Sequence, residues 1–173
     1  CLSVHLSGWA EIYTPDTLGD NYQSRTIEMQ DDYEGRTVCT LIKKITSATT
    51  NKAILYVHGY NDYFFQAELG DSIITHGYNF YALDLRKYGR SLLPKQDAFY
   101  CKNLNEYYYD LDTAISIIRS EGNSYIILMG HSTGGLITLL YINDKQSPHI
   151  KGLILNSPFL DMNMSSFMEN IIV

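Results

Sequence analysis

Polar stretches and short apolar runs alternate along the chain, and the texture of the runs changes as it proceeds. Gln23 to Met29 and Arg36 to Ile45 mix apolar and polar residues in strand-like fashion. They flank Asp31-Asp32-Tyr33-Glu34-Gly35, which predicts an antiparallel hairpin suited to a sheet edge. Ala53-Ile-Leu-Tyr-Val57 is continuously apolar instead, the pattern of a buried parallel strand. Phe64, Phe65, Leu69, Ile73 and Ile74 then recur at near-helical spacing up to His76-Gly77, and Tyr78 to Leu83 is the next strand. Leu104, Tyr107, Leu111, Ala114, Ile115 and Ile118 mark an amphipathic helix closed by Gly122. Ser124-Tyr-Ile-Ile-Leu-Met-Gly130 predicts a further strand, a helical pattern runs on to Ile142, and Asp144 to His149 reads as a loop. Gly152-Leu-Ile-Leu155 is the last apolar strand, and residues 1–22, with the turn chemistry of Pro15-Asp16 and Leu18-Gly19-Asp20, predict a surface lead-in.

Strands alternating with helices imply right-handed crossovers and a mostly parallel α/β sheet with flanking helices, in a single domain spanning residues 1–173. Functional groups gather at the carboxyl ends of such strands. Tyr60, Asp84, Ser132 and Asn156 lie just past those ends, whereas Asp144 and His149 precede the last strand.

Composition narrows the function classes. Net charge is −6 with no basic run longer than Lys43-Lys44, which argues against a nucleic-acid partner. Three cysteines without a C-x-x-C spacing indicate neither a disulfide framework nor a zinc site, so no metal or cofactor is expected. No apolar stretch approaches the roughly 18 residues that span a bilayer, and no signal segment opens the chain, so no integral membrane segment and a cytoplasmic location are expected. Fifteen tyrosines against one tryptophan suit half-buried strand and helix faces or, alternatively, an aromatic-lined apolar pocket.

The chemistry concentrates at Gly130-His131-Ser132-Thr133-Gly134, a G-x-S-x-G sequence between an apolar strand and an apolar helical pattern. In such a strand-turn-helix the glycines leave room for a strained turn that lifts a serine hydroxyl clear of the sheet. Ser132 is the candidate nucleophile. Acyl transfer also needs two backbone N–H groups for the developing oxyanion; Thr133, at the helix start, and Tyr60, after the strand ending in His58-Gly59, are the candidates.

Together Tyr56-Val-His58-Gly59-Tyr60, Asp84-Leu-Arg86 through Tyr88-Gly89-Arg90-Ser91, and Gly130 to Gly135 resemble the α/β-hydrolases, and among them the serine aminopeptidase, monoacylglycerol lipase and lysophospholipase group. The resemblance covers residues 23–160. It implies a serine hydrolase acting on small-molecule carboxylic or lipid-like esters, with an aminopeptidase-type peptidase or a non-catalytic binding module derived from a hydrolase as alternatives. It implies Ser132 as nucleophile and Tyr60 and Thr133 as oxyanion donors, with His58, Gly59, Gly130, His131 and Gly134 shaping the site. Lys87 stands where such proteins usually carry glycine, and Thr133 where methionine is commoner.

In this fold the acid and then the histidine follow the serine in the chain. Asp144 and His149 are the sole pair in that order, and a helix rising 1.5 Å per residue carries them away from the serine. Asp161 is a possible acid on the correct edge. The expectation is therefore an α/β-hydrolase fold truncated before its last strands and lid, with residues 161–173 beginning the missing part. This chain alone would then be poorly active, and its strand at 152–155 would be an open edge able to pair with another chain.

Overall fold

The computed structural model describes residues 12–160. Within them the apolar runs assemble by register. Lys52–Val57 (β4) pairs in parallel with Asn79–Asp84 (β5), Val57 opposite Leu83, and on its other side with Tyr125–His131 (β6), Val57 opposite Gly130. Ile150–Asn156 (β7) continues the parallel set beyond β6, His131 opposite Asn156. The hairpin Gln23–Asp32 (β2) and Gly35–Lys44 (β3) joins antiparallel through β3 to β5, and Thr14–Pro15 (β1) adds to β2. The order is β1-β2-β3-β5-β4-β6-β7. The carboxyl ends of β4, β5, β6 and β7 consequently lie along one rim.

Among the described residues, three α-helices cover the sheet. Ala67–Thr75 (α1) packs on the face that carries Tyr22, Ile42, Tyr56, Phe64 and Phe80. Tyr107–Ser120 (α2) and Thr133–Lys145 (α3) bury Leu111, Ala114, Ile118 and Ile137 against Leu41, Leu55, Val57 and Leu83 on the other. None of these helices is long and apolar enough to cross a membrane.

Two sequence expectations need correction. The hairpin does not simply form an edge, because β3 lies between β2 and β5 with Cys39, Leu41 and Ile42 fully buried. Its polar positions are tolerated inside because each is answered: Thr37 donates to the Gln30 carbonyl, Thr40 accepts from Ser91, and Lys44 pairs with Asp71 at 2.6 Å. Nor are residues 12–22 merely a surface lead-in. Tyr22 is buried in the α1 face, its hydroxyl donating to the Ala67 carbonyl and to Asp71, and Asp16 grips Arg90. At the other end β7 is longer than 152–155 and is the outer strand of the described sheet, with Ile154 and Leu155 exposed.

Candidate active site

Ser132 is forced into its position by what surrounds it. The chain leaves β6 at His131 and enters α3 at Thr133, so Ser132 alone must make the turn, at φ 51° and ψ −121°. For a residue with a Cβ this region costs on the order of 1–3 kcal/mol. The turn is held by its backbone: the Ser132 N–H donates to the Asn156 carbonyl at 3.1 Å, and the Ser132 carbonyl accepts from Gly135 and Phe159 at 2.9 Å each. Gly130 makes the tight reversal possible, since a Cβ there would fall 2.6 Å from the Gly134 carbonyl oxygen and from Thr138 Oγ1. Gly134 lets α3 press against the His58 and Val57 carbonyls with no room for a side chain.

The loop after β4 comes to the same point. A Cβ on Gly59 would sit 3.0 Å from Ser132 Cβ and 3.5 Å from its Oγ. Tyr60, next in the chain, is therefore beside Ser132, as is Thr133. Among the described residues no acceptor takes the N–H of Tyr60 or Thr133, and nothing hydrogen-bonds the Ser132 hydroxyl. Thr133 also opens a 13-residue helix, whose N-terminal dipole favours negative charge at this spot.

Neither nearby histidine is engaged with Ser132. His58 is buried, and its Nε2 accepts from the Leu85 N–H at 3.1 Å, which places the ring proton on Nδ1, donating to the Gly59 carbonyl at 2.8 Å. Burial pushes its pKa below the ordinary imidazole value, Asp84 opposing in part. The ring is thus a neutral brace between the β4 and β5 loops. His131 turns its Nδ1 to the Asn156 carbonyl at 3.2 Å.

The loop after β5 is built differently. Asp84, fully buried, accepts from the Phe64 N–H and pairs with Arg90 at 2.9 Å, and Arg90 reaches on to Asp16 at 2.8 Å. Arg86 forks onto buried Asp110, with Nη2 at 2.6 Å. Lys87 takes φ 64°, the region that explains the glycine usual at this position in such proteins. Its ammonium is buried between Asp32, at 2.7 Å, and Glu34, against the Tyr33 ring. Burial opposes that charge, yet the two carboxylates raise its pKa.

The segment that follows walls a cavity of about 380 Å³ beside Thr133, lined by Tyr60, Tyr88, Phe99, Tyr100, Cys101 and Tyr107 among others. Tyr88 and Phe99 stack at 5.1 Å, and Tyr60 meets Phe99 edge-on at 5.6 Å. The sequence hinted at this cavity only through its tyrosine content; residues 98–104 have no periodicity that would announce it. Of the other candidates, Asp144 ends up near the far end of α3, accepting from the Tyr108 hydroxyl, and His149 precedes β7, away from the rim. Asp161 lies outside the described residues. No group of three His, Cys, Asp or Glu among the described residues could hold a metal.

The sequence profile of the family described as serine aminopeptidase, S33 matches residues 48–172. Phospholipase YtpA of Bacillus subtilis (strain 168) is 32% identical over 63 residues, 36% of this chain and 24% of that protein. Among solved structures, a probable hydrolytic enzyme from Pseudomonas aeruginosa PAO1 superposes with a TM-score of 0.65 at 16% identity, over 83% of this chain and 44% of that one. A soluble variant of monoglyceride lipase from Saccharomyces cerevisiae does so with a TM-score of 0.62 at 22% identity, over 84% and 48%. A carboxyl esterase from Bacillus coagulans matches at 0.65 and 17% identity, over 76% and 43%. The fold is that of the α/β-hydrolases, and the chain spans less than half the length of each of these three structures.

Proposed function

The chain belongs to the serine aminopeptidase S33 family, and from that premise we propose that it is a serine hydrolase that cleaves carboxylic esters through an acyl-enzyme on Ser132. The observation that carries the reading is the strained Ser132 at the β6–α3 turn, its hydroxyl and the two N–H groups beside it unclaimed among the described residues. Those of Tyr60 and Thr133 are the oxyanion donors, each worth about 3 kcal/mol of barrier. His58, Gly59, Gly130, His131 and Gly134 shape the turn rather than move protons. The substrates are lipid-like esters: the aromatic cavity beside Thr133 suits an apolar group, and a phospholipase and a monoglyceride lipase are among the similar proteins.

Without a base the serine hydroxyl is a weak nucleophile, and no described histidine serves it. The chain by itself should then reach only on the order of 10³–10⁴ over water. Slow p-nitrophenyl butyrate hydrolysis that disappears in Ser132→Ala is the expected result; equal rates in the two proteins would refute the assignment. The family description favours a second reading, an aminopeptidase. Faster release from aminoacyl p-nitroanilides than from p-nitrophenyl esters, again dependent on Ser132, would select it.

A further inference from the structure

Phe99 is held in a conformation that its side chain does not favour. It lies in the left-handed region at φ 67°, uncommon for any residue with a side chain and rarer still for a bulky one. Such a conformation persists only where the surroundings over-determine it. On one side the Phe99 N–H donates to the Lys87 carbonyl at 3.2 Å. On the other, the β2–β3 hairpin grips the loop. Glu34 accepts from the Asp97 N–H at 3.1 Å, the Tyr33 hydroxyl accepts from the Lys102 N–H at 3.2 Å, and the Tyr100 ring meets Tyr33 edge-on at 5.8 Å. The ring so placed lies 5.1 Å from Tyr88 and 5.6 Å from Tyr60, in the wall of the cavity beside Thr133. Core packing does not call for it: Tyr88 and Tyr107 are buried in the core, whereas Phe99 stays half-buried against its margin.

We propose that Phe99 is a specificity-determining residue that limits the acyl portion of the substrate to short and medium chains, its ring taking up the volume that a longer chain would need. The proposal rests on Ser132 being the nucleophile, which makes Tyr60 and Thr133 the end of the cavity at which the scissile carbonyl sits. From there the cavity reaches Ile137, one helical turn along α3, with Phe99 and Leu104 in its wall. At about 380 Å³ it lies at the small end of the roughly 300–1,000 Å³ of ordinary ligand sites. A packed ring rejects an oversized group by clash, because admitting it would require the ring or the backbone to move. The backbone at Phe99 cannot move without breaking the hydrogen bonds that tie the loop to Lys87 and to the hairpin.

The test reads binding, so it needs neither turnover nor the Ser132 hydroxyl. Straight-chain carboxylates from butyrate to dodecanoate, as product-like probes, are titrated calorimetrically into the full chain and into Phe99→Gly, Phe99→Leu and Tyr33→Phe. Hexanoic and dodecanoic acids carrying a terminal diazirine, photolysed and followed by peptide mass mapping, report where the chain lies. Affinity should rise about fourfold per methylene while the chain still fits and then level off. Phe99→Gly removes the ring and eases the backbone, and should move that limit to chains longer by about two or more carbons, with Phe99→Leu in between. Tyr33→Phe drops one anchor of the loop but keeps the ring, and should keep the wild-type limit. The hexanoic probe should label residues 98–107 or 133–137 in every protein, and the dodecanoic probe should label them more strongly in Phe99→Gly than in the wild type. An equal limit in the wild type and both Phe99 variants, a limit moved as far by Tyr33→Phe, label outside these residues, or no binding at all would each overturn the proposal. Should Phe99→Gly lose its cooperative melt, Phe99→Leu decides. Any of these failures leaves the nucleophile standing, and that assignment falls only if Ser132 takes up no acyl group.

Discussion

The turns after β5 and β6 sit on the same rim and share an oddity, a residue with a side chain in the left-handed region: Lys87 at φ 64° and Ser132 at φ 51°. Around Lys87 the charges are answered. Its ammonium lies between two carboxylates, Arg86 holds Asp110, and Arg90 bridges Asp84 to Asp16. Around Ser132 the hydroxyl and two neighbouring N–H groups have no partner among the described residues. Similar backbone strain thus occurs in two electrostatic settings. Strain compensated on the spot belongs to a scaffold, whereas strain beside unclaimed donors belongs to a site awaiting a partner.

The largest expected effect tests the scaffold side. Arg86→Ala leaves a fully buried Asp110 without its partner and should destabilise by about 3–5 kcal/mol in urea unfolding. A loss under about 1 kcal/mol would mean that the ion pair does not hold the β5 turn. Next comes Gly130→Ala, whose Cβ meets α3 backbone at 2.6 Å and should cost roughly 2 kcal/mol.

The contrast itself is sharpest as a pair of glycine substitutions. Ser132→Gly relieves strain and forfeits no hydrogen bond, so it should raise stability by about 1 kcal/mol. Lys87→Gly relieves the same strain but strands Asp32, and should lower stability by roughly 2 kcal/mol. Equal signs for the two would break the comparison.

These two turns also mark how far the sequence could be read. The strands β4, β5 and β6 and the G-x-S-x-G turn were legible because a continuous apolar run and a glycine-framed serine are local signals. The clamp around Lys87 was not. Its partners Asp32 and Glu34 sit on a hairpin more than fifty positions earlier, and Asp16 and Arg90 are further apart still, so no periodicity joins them. The hairpin misled for a related reason, since Thr37, Thr40 and Lys44 look solvent-facing until their buried partners are seen. Within the site, Ser132, Gly59 and Tyr60 could be named from the sequence, but not the places of Phe99 and Cys101 in the cavity wall, which depend on how an aperiodic loop folds back.

The smallest effect concerns His58, which braces the two loops while neutral. Its folded pKa is depressed, so its contribution to stability is full above the unfolded value of about 6.5 and is lost as pH falls from there through the folded value. Unfolding free energy should therefore decline between pH 7 and 5, and His58→Asn should flatten that decline. An unchanged slope in the variant would assign the effect to other groups.

The central claim, that Ser132 is the nucleophile, is tested most directly by trapping the acyl group. Deacylation needs a base as much as acylation does, so an adduct should accumulate slowly when the chain is held with p-nitrophenyl acetate. Peptide mass mapping should find the acetyl group on Ser132, with that adduct absent from Ser132→Ala and its formation slower in Gly59→Ala, whose Cβ crowds the hydroxyl. Acetylation confined to lysines, tyrosines or Cys101, and identical in wild type and Ser132→Ala, would contradict the account.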